Sequence, residues 1–156
     1  MKNARFLIKL KKEGKINLIA PSEEVKESYL KDSESYFISS KMLFKEIRLK
    51  ESTQLIYFSV YYSILALLFR TGIKSENHLA SIILLKEIFS LDNSFVLILQ
   101  KKRVGTYYPD FNLQKQEFVQ LIQKAEDFNI NLLDFISKLT NEEIKSYRNK
   151  FTCFFK

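Results

Sequence analysis

At 156 residues, with 46% hydrophobic side chains and a formal charge of +7, the chain holds enough apolar material for one core and is short for two domains. Global disorder is excluded, and three glycines with two prolines are too few for the many tight turns of a strand-rich fold. The expectation is one all-α domain over residues 1–156, an up-and-down helical bundle of about five main helices plus a short C-terminal helix.

Residues 1–20 carry Lys2, Arg5, Lys9, Lys11, Lys12 and Lys15 against Glu13 alone, a net +5 of the +7 total. This basic N-terminal arm reads first as a solvated, partly mobile tail and alternatively as a segment that meets phosphate. Nothing after Met1-Lys2-Asn3 forms the long apolar run of a secretory signal.

After Pro21, Ser22 is placed to cap a first main helix, with Glu23 and Glu24 at its positive dipole end. Tyr29, Tyr36 and Leu43, beside Leu30, Phe37 and Phe44, make one broad buried stripe, and the helix is expected to end near Lys50. Ser52 is expected to cap the second helix, which Gly72 closes. This helix is apolar nearly all round, so it is read as buried. Its most apolar run, Leu55 to Phe69, falls short of the roughly 20 residues of a membrane span, and no membrane partner is expected.

A third helix is expected from a Ser75 cap to about Phe89. A fourth runs from about Leu91 into Lys101-Lys102-Arg103, where Gly105 and Pro109 break it. In the fifth, Phe118, Leu121, Ile122, Ala125, Phe128, Leu132, Phe135, Ile136 and Leu139 keep a three-four spacing. Thr140 and Glu143 form a capping box for the last helix, within a C-terminal extension over 140–156.

Much chemistry is excluded. Isolated glycines build no phosphate-cradling loop, and one histidine with one distant cysteine makes no thiolate or imidazole metal site, so no metal or cofactor is expected. The lone Cys153 forms no internal disulfide, which points to a reducing, cytoplasmic setting. It is read as a small buried hydrophobe. What remains is a basic, tyrosine-rich turn and a histidine at a helix start. Arg103 has the planar fork that suits phosphate, and Lys101 and Lys102 reinforce it. Tyr107 and Tyr108 suit base stacking, although half-buried packing is the commoner role of such tyrosines. His78 lies where a helix dipole favours neutral imidazole, a setting that suits a structural role as well as binding. Tyr61 and Tyr62 are read as core or interface residues.

In order, LKKEGKINLIAPSEEVKESYLKDSESYF, VYYSILALLFRTGIKSENH, KRVGTYYPDF and the late QKAEDF resemble small, uncharacterised archaeal and bacterial members of the HEPN superfamily over roughly residues 10–139. The resemblance implies a bundle that homodimerises through long helices, with a cleft near the symmetry axis. Ribonucleases of this superfamily carry an arginine followed four to six residues later by a histidine. Arg103 matches the arginine, but Tyr108 occupies the histidine position and Asp110 stands where a further tyrosine sometimes falls. A phenol, with a pKa near 10, is a poor acid–base group at neutral pH. The implied function is therefore a non-catalytic RNA- or nucleotide-binding module, part of a toxin–antitoxin or defence system and paired with a nucleotidyltransferase. The alternatives are a metal-independent endoribonuclease using Arg103 and Tyr108, and a structural protein-interaction scaffold.

Overall fold

The computed structural model describes residues 2–156. Chain order is α1 (Lys2–Lys12), β1 (Ile16–Leu18), α2 (Glu23–Lys45), α3 (Leu49–Thr71), β2 (Ile73–Ser75), α4 (His78–Glu87), α5 (Ser94–Gly105), α6 (Lys115–Lys138) and α7 (Asn141–Phe154). The fold is the expected all-α bundle, with one small antiparallel β1–β2 pair in which Ile16 faces Ser75 and Leu18 faces Ile73.

Helix α3 is the axis of the bundle. Ile56, Tyr57, Val60, Ile64, Leu67 and Leu68 are fully buried, and α2, α4, α5, α6 and α7 all pack against it. By length and composition it could cross a membrane, yet two-thirds of that apolar window is covered by the rest of the protein. A helix covered on most sides needs no polar face, which explains its largely apolar sequence, broken by buried Ser59 and Ser63. Gly72 ends it at φ +71°, donating its N–H toward the carbonyls of Leu68 and Phe69. Glycine adopts that left-handed conformation without a Cβ penalty.

Two reciprocal serine pairs draw α2 and α3 together. Ser33 donates to the Ser59 carbonyl at 2.7 Å while Ser59 donates to the Ser33 carbonyl at 2.8 Å. One heptad along, Ser40 and Ser52 repeat the exchange. Small side chains permit close approach of the two backbones, and each hydroxyl supplies the partner that burial demands.

Several boundaries differ from the expectations. Helix α2 stops at Lys45, because Ile47 takes a positive φ of 58° that no helix accommodates. Helix α3 then begins at Leu49, so Ser52 is a buried pairing residue rather than a cap. Asn77, not Ser75, caps α4 by accepting from the Ala80 N–H at 3.0 Å, while Ser75 ends β2. The basic arm is no loose tail: α1 buries Leu7 and Leu10, and Ile16 on β1 is fully buried. The C-terminal helix is 14 residues long and opens with the expected Thr140–Glu143 capping box. Phe151 is buried, whereas Cys153 is exposed. The reading of Cys153 as a core residue is corrected, since the face of α7 that buries Ile144 and Phe151 turns Cys153 outward.

Candidate cationic–aromatic site

Helices α3 and α5 and the turn after α5 meet at Arg103. It lies in the last turn of α5, whose end is fastened to α3 by a relay through buried Thr106. The Thr106 hydroxyl donates to the Arg103 carbonyl at 2.6 Å and accepts from the Gln54 amide at 2.8 Å. The guanidinium carbon then sits 4.7 Å from the Tyr57 ring centroid and 6.0 Å from that of Phe58, both on α3. Tyr107 closes the other side at 5.6 Å, and its hydroxyl accepts from Nη1 at 3.0 Å. Arg103 joins no ion pair among the described residues. Its Nε is buried with no hydrogen-bond partner. Cation–π contact contributes about 0.5–2 kcal/mol, but an unpaired buried donor costs about 1–3 kcal/mol. The arginine is held without being satisfied.

His78, the first residue of α4, extends the cluster. Its Nδ1 lies 2.8 Å from the Tyr57 hydroxyl, and its ring stacks on Tyr61 at 4.0 Å between centroids, 11° from parallel. Burial, and secondarily the Arg103 charge, hold the imidazole below its usual pKa. Burial also raises Tyr57 far above the usual phenol value, against a smaller lowering by Arg103. The imidazole is therefore neutral and the phenol protonated at neutral pH. In the arrangement that satisfies both, Tyr57 donates to Nδ1 and the imidazole keeps its proton on Nε2. Neutral imidazole was expected at this helix start, and burial, then the Arg103 charge, lowers its pKa.

Beside this cluster opens a cleft of about 300 Å³ lined by Tyr29, Phe58, Tyr61, Tyr62, Lys74 and His78, among others. Tyr29 and Tyr62 meet edge to face at 5.4 Å. The cleft wall is aromatic and includes Lys74 from β2, and one of its rings, Phe58, lies 6.0 Å from the Arg103 guanidinium carbon.

The sequence-derived candidates separate here. Arg103, Tyr107 and His78 converge through Tyr57. Tyr108 and Tyr107 are 59% and 63% exposed, so the half-buried packing read for them is replaced by solvent-facing rings on a turn. The structure sets Tyr107, not Tyr108, against Arg103. Lys101 is exposed and Lys102 half-buried on the same turn of α5. The residue that sequence reasoning missed is Tyr57, hidden in a helix apolar all round. Its signal was the spacing of Tyr57 and Tyr61, four apart and hence on one face.

Fold and site together define a helical bundle that presents one unpaired cation on an aromatic bed. The sequence profile of the HEPN domain matches residues 26–130, which hold Tyr57, His78 and Arg103. The chain belongs to the HEPN domain family, whose members are in general RNA-related or nucleotide-binding. Neither the curated proteins nor the solved structures give a significant match.

Proposed function

We propose that the chain is a non-catalytic HEPN module that binds the phosphate of RNA or of a nucleotide at Arg103. The observation that carries this reading is the guanidinium itself, which pairs with no carboxylate among the described residues. A phosphate oxygen that meets the outer guanidinium nitrogens finds a cation no carboxylate neutralises, and a charged partner strengthens each bond in a partly buried setting. Stacked Tyr107 and the aromatic cleft offer faces for a base, and the Nε2 proton of His78 is a donor at the cleft wall. The reading extends to a homodimer in the cytoplasm and a nucleotidyltransferase partner within a toxin–antitoxin or defence pair.

The test is fluorescence anisotropy with a labelled single-stranded RNA, with ATP as a second probe, at low salt where phosphate contacts are strongest. Wild-type protein should bind, and Arg103→Ala should weaken binding roughly tenfold or more, the loss of one charge-assisted contact. Absence of binding at low salt, or an Arg103→Ala variant that binds as wild type does, would overturn it.

One observation favours a second reading, a metal-independent ribonuclease: the chain's one imidazole lies a single phenol away from Arg103. In that chemistry a base takes the 2′-hydroxyl proton, the 2′-oxygen bonds to phosphorus, and the 5′-oxygen leaves to give a 2′,3′-cyclic phosphate. His78 could act as that base only with its free lone pair on Nε2, the tautomer opposite to the one Tyr57 favours by donating to Nδ1. Tyr108, exposed and away from Arg103, is the weaker candidate. RNA cleavage that persists in EDTA and disappears in His78→Gln would establish this alternative.

A further inference from the structure

A second concavity lies away from Arg103, between α2 and α6, with a volume of about 440 Å³. Leu30, Phe37, Ile130 and Leu133 supply its apolar lining, and Ile130 and Leu133 are 60% and 48% exposed. Large aliphatic side chains left this open mark a surface that something covers. The polar groups at its base are already matched: Ser63 donates to the Asn129 side-chain oxygen at 2.9 Å, and the Asn129 amide donates to Ser59 at 2.9 Å. The floor therefore offers little to a small polar ligand.

The rim decides what covers it. Glu27, Glu34 and Glu126 line the groove against a single lysine, Lys31. Glu27 also pairs with Lys26 at 2.7 Å. On a chain of formal charge +7 this is a local excess of carboxylates, which repels nucleic acid and anionic lipid. It also disfavours a second copy docking through the same face, since like charges would then be apposed. The lining residues Leu30 to Phe37 span two turns of α2, roughly 10 Å. Short apolar length with acidic edges fits an amphipathic helix bearing lysine or arginine on its flanks.

We propose that the α2–α6 groove docks a basic amphipathic helix of a partner protein, with apolar residues at i, i+3 or i+4, and i+7 seated on Phe37, Ile130 and Leu133. This surface is independent of the Arg103 site. The probe is a labelled helical peptide of about 14 residues, leucine at the anchor positions and lysine on the flanks, beside a twin with glutamate for lysine. The lysine peptide should bind saturably, at least tenfold more tightly than its twin, and more weakly as salt rises. Leu133→Asp should abolish binding, and joint Glu27→Lys, Glu34→Lys and Glu126→Lys should reverse the preference. Arg103→Ala should bind as wild type does. Glu27, Glu34 and Leu133 are exposed and Glu126 is half-buried, and circular dichroism checks that each variant stays helical. Equal binding of the two peptides, or a preference unmoved by the charge reversal, would overturn the proposal. So would self-association, seen by sedimentation, that Leu133→Asp abolishes, because the groove would then belong to another copy of the chain.

Discussion

Arg148 offers the sharpest energetic test of how the cleft is framed. From α7 its Nη1 reaches three backbone carbonyls, those of Ile19 at 2.8 Å, Thr71 at 3.0 Å and Gly72 at 2.9 Å. One nitrogen has two hydrogens, so two strong bonds at a time is the ceiling, with the third acceptor shared. Bonds to a charged group contribute about 1.5–3 kcal/mol each, and water recovers part of that loss at a half-buried side chain. Two of the carbonyls end α3, where the helix dipole favours a cation. Arg148→Met keeps the aliphatic stem and should lower stability by about 2–4 kcal/mol. For a chain of this size that is a fall of roughly 5–15 °C in melting temperature. Urea unfolding followed by far-ultraviolet circular dichroism reads the free energy directly, and Arg148→Lys, a cation without the fork, should fall between. A loss below about 0.5 kcal/mol, the level of an ordinary surface substitution, would refute the reasoning.

Two further predictions probe the helix contacts and the site. The chain holds one histidine, so an NMR titration of its imidazole is unambiguous: His78 should titrate below 6.5, and Arg103→Ala should raise its pKa without restoring the usual value, because burial is the larger cause. The sign for stability follows: the unfolded chain takes up this proton first, so the contribution is full above about pH 6.5 and is lost as pH falls through the folded pKa, a slope that His78→Gln should flatten in urea titrations. Ser59→Leu should destabilise by about 2–5 kcal/mol, combining overpacking at the α2–α3 contact with loss of the Ser33 exchange, and an unchanged urea midpoint would contradict the close approach.

The fold was largely legible because its main signals are local. Phe118 through Ile136 kept their three-four spacing, Thr140 and Glu143 formed their box, and Gly72 closed α3. What escaped was set by tertiary context. Ser52 has the composition of a cap, yet a serine seven residues before Ser59 also suits a helix–helix ladder, and only the partner positions Ser33 and Ser40 decide between them. The positive φ at Ile47 has no sequence signature, since β-branched residues rarely adopt it. Helix α1 was obscured by its lysines, with Leu7 and Leu10 too few to announce a buried stripe. At the site, Arg103 and His78 were visible as residue types, but their meeting was not. They are brought together by Tyr57, whose pattern in α3 is that of plain core.

The matched family region, 26–130, carries every group of the Arg103 cluster and of the adjoining cleft, but not the segments that brace that cleft. Lys74 and Ser75, which line it, belong to β2, and β2 pairs with β1, from the N-terminal segment. That strand pair is pinned in turn by Arg148 on α7, which bonds the carbonyls of Ile19 and Gly72 beside it. Helix α7 is itself wedged in place where Tyr147 meets Phe89 at 4.9 Å and Phe135 at 6.3 Å. The two flanks, one at each end of the chain, thus converge on a single short strand that leads directly into Asn77 and His78. Because His78 stands at the start of α4, just after that strand, the strand helps set where its ring meets Tyr61 and Tyr57. The flanking segments therefore act on the site by position alone, holding an imidazole against α3 without contributing a side chain to Arg103.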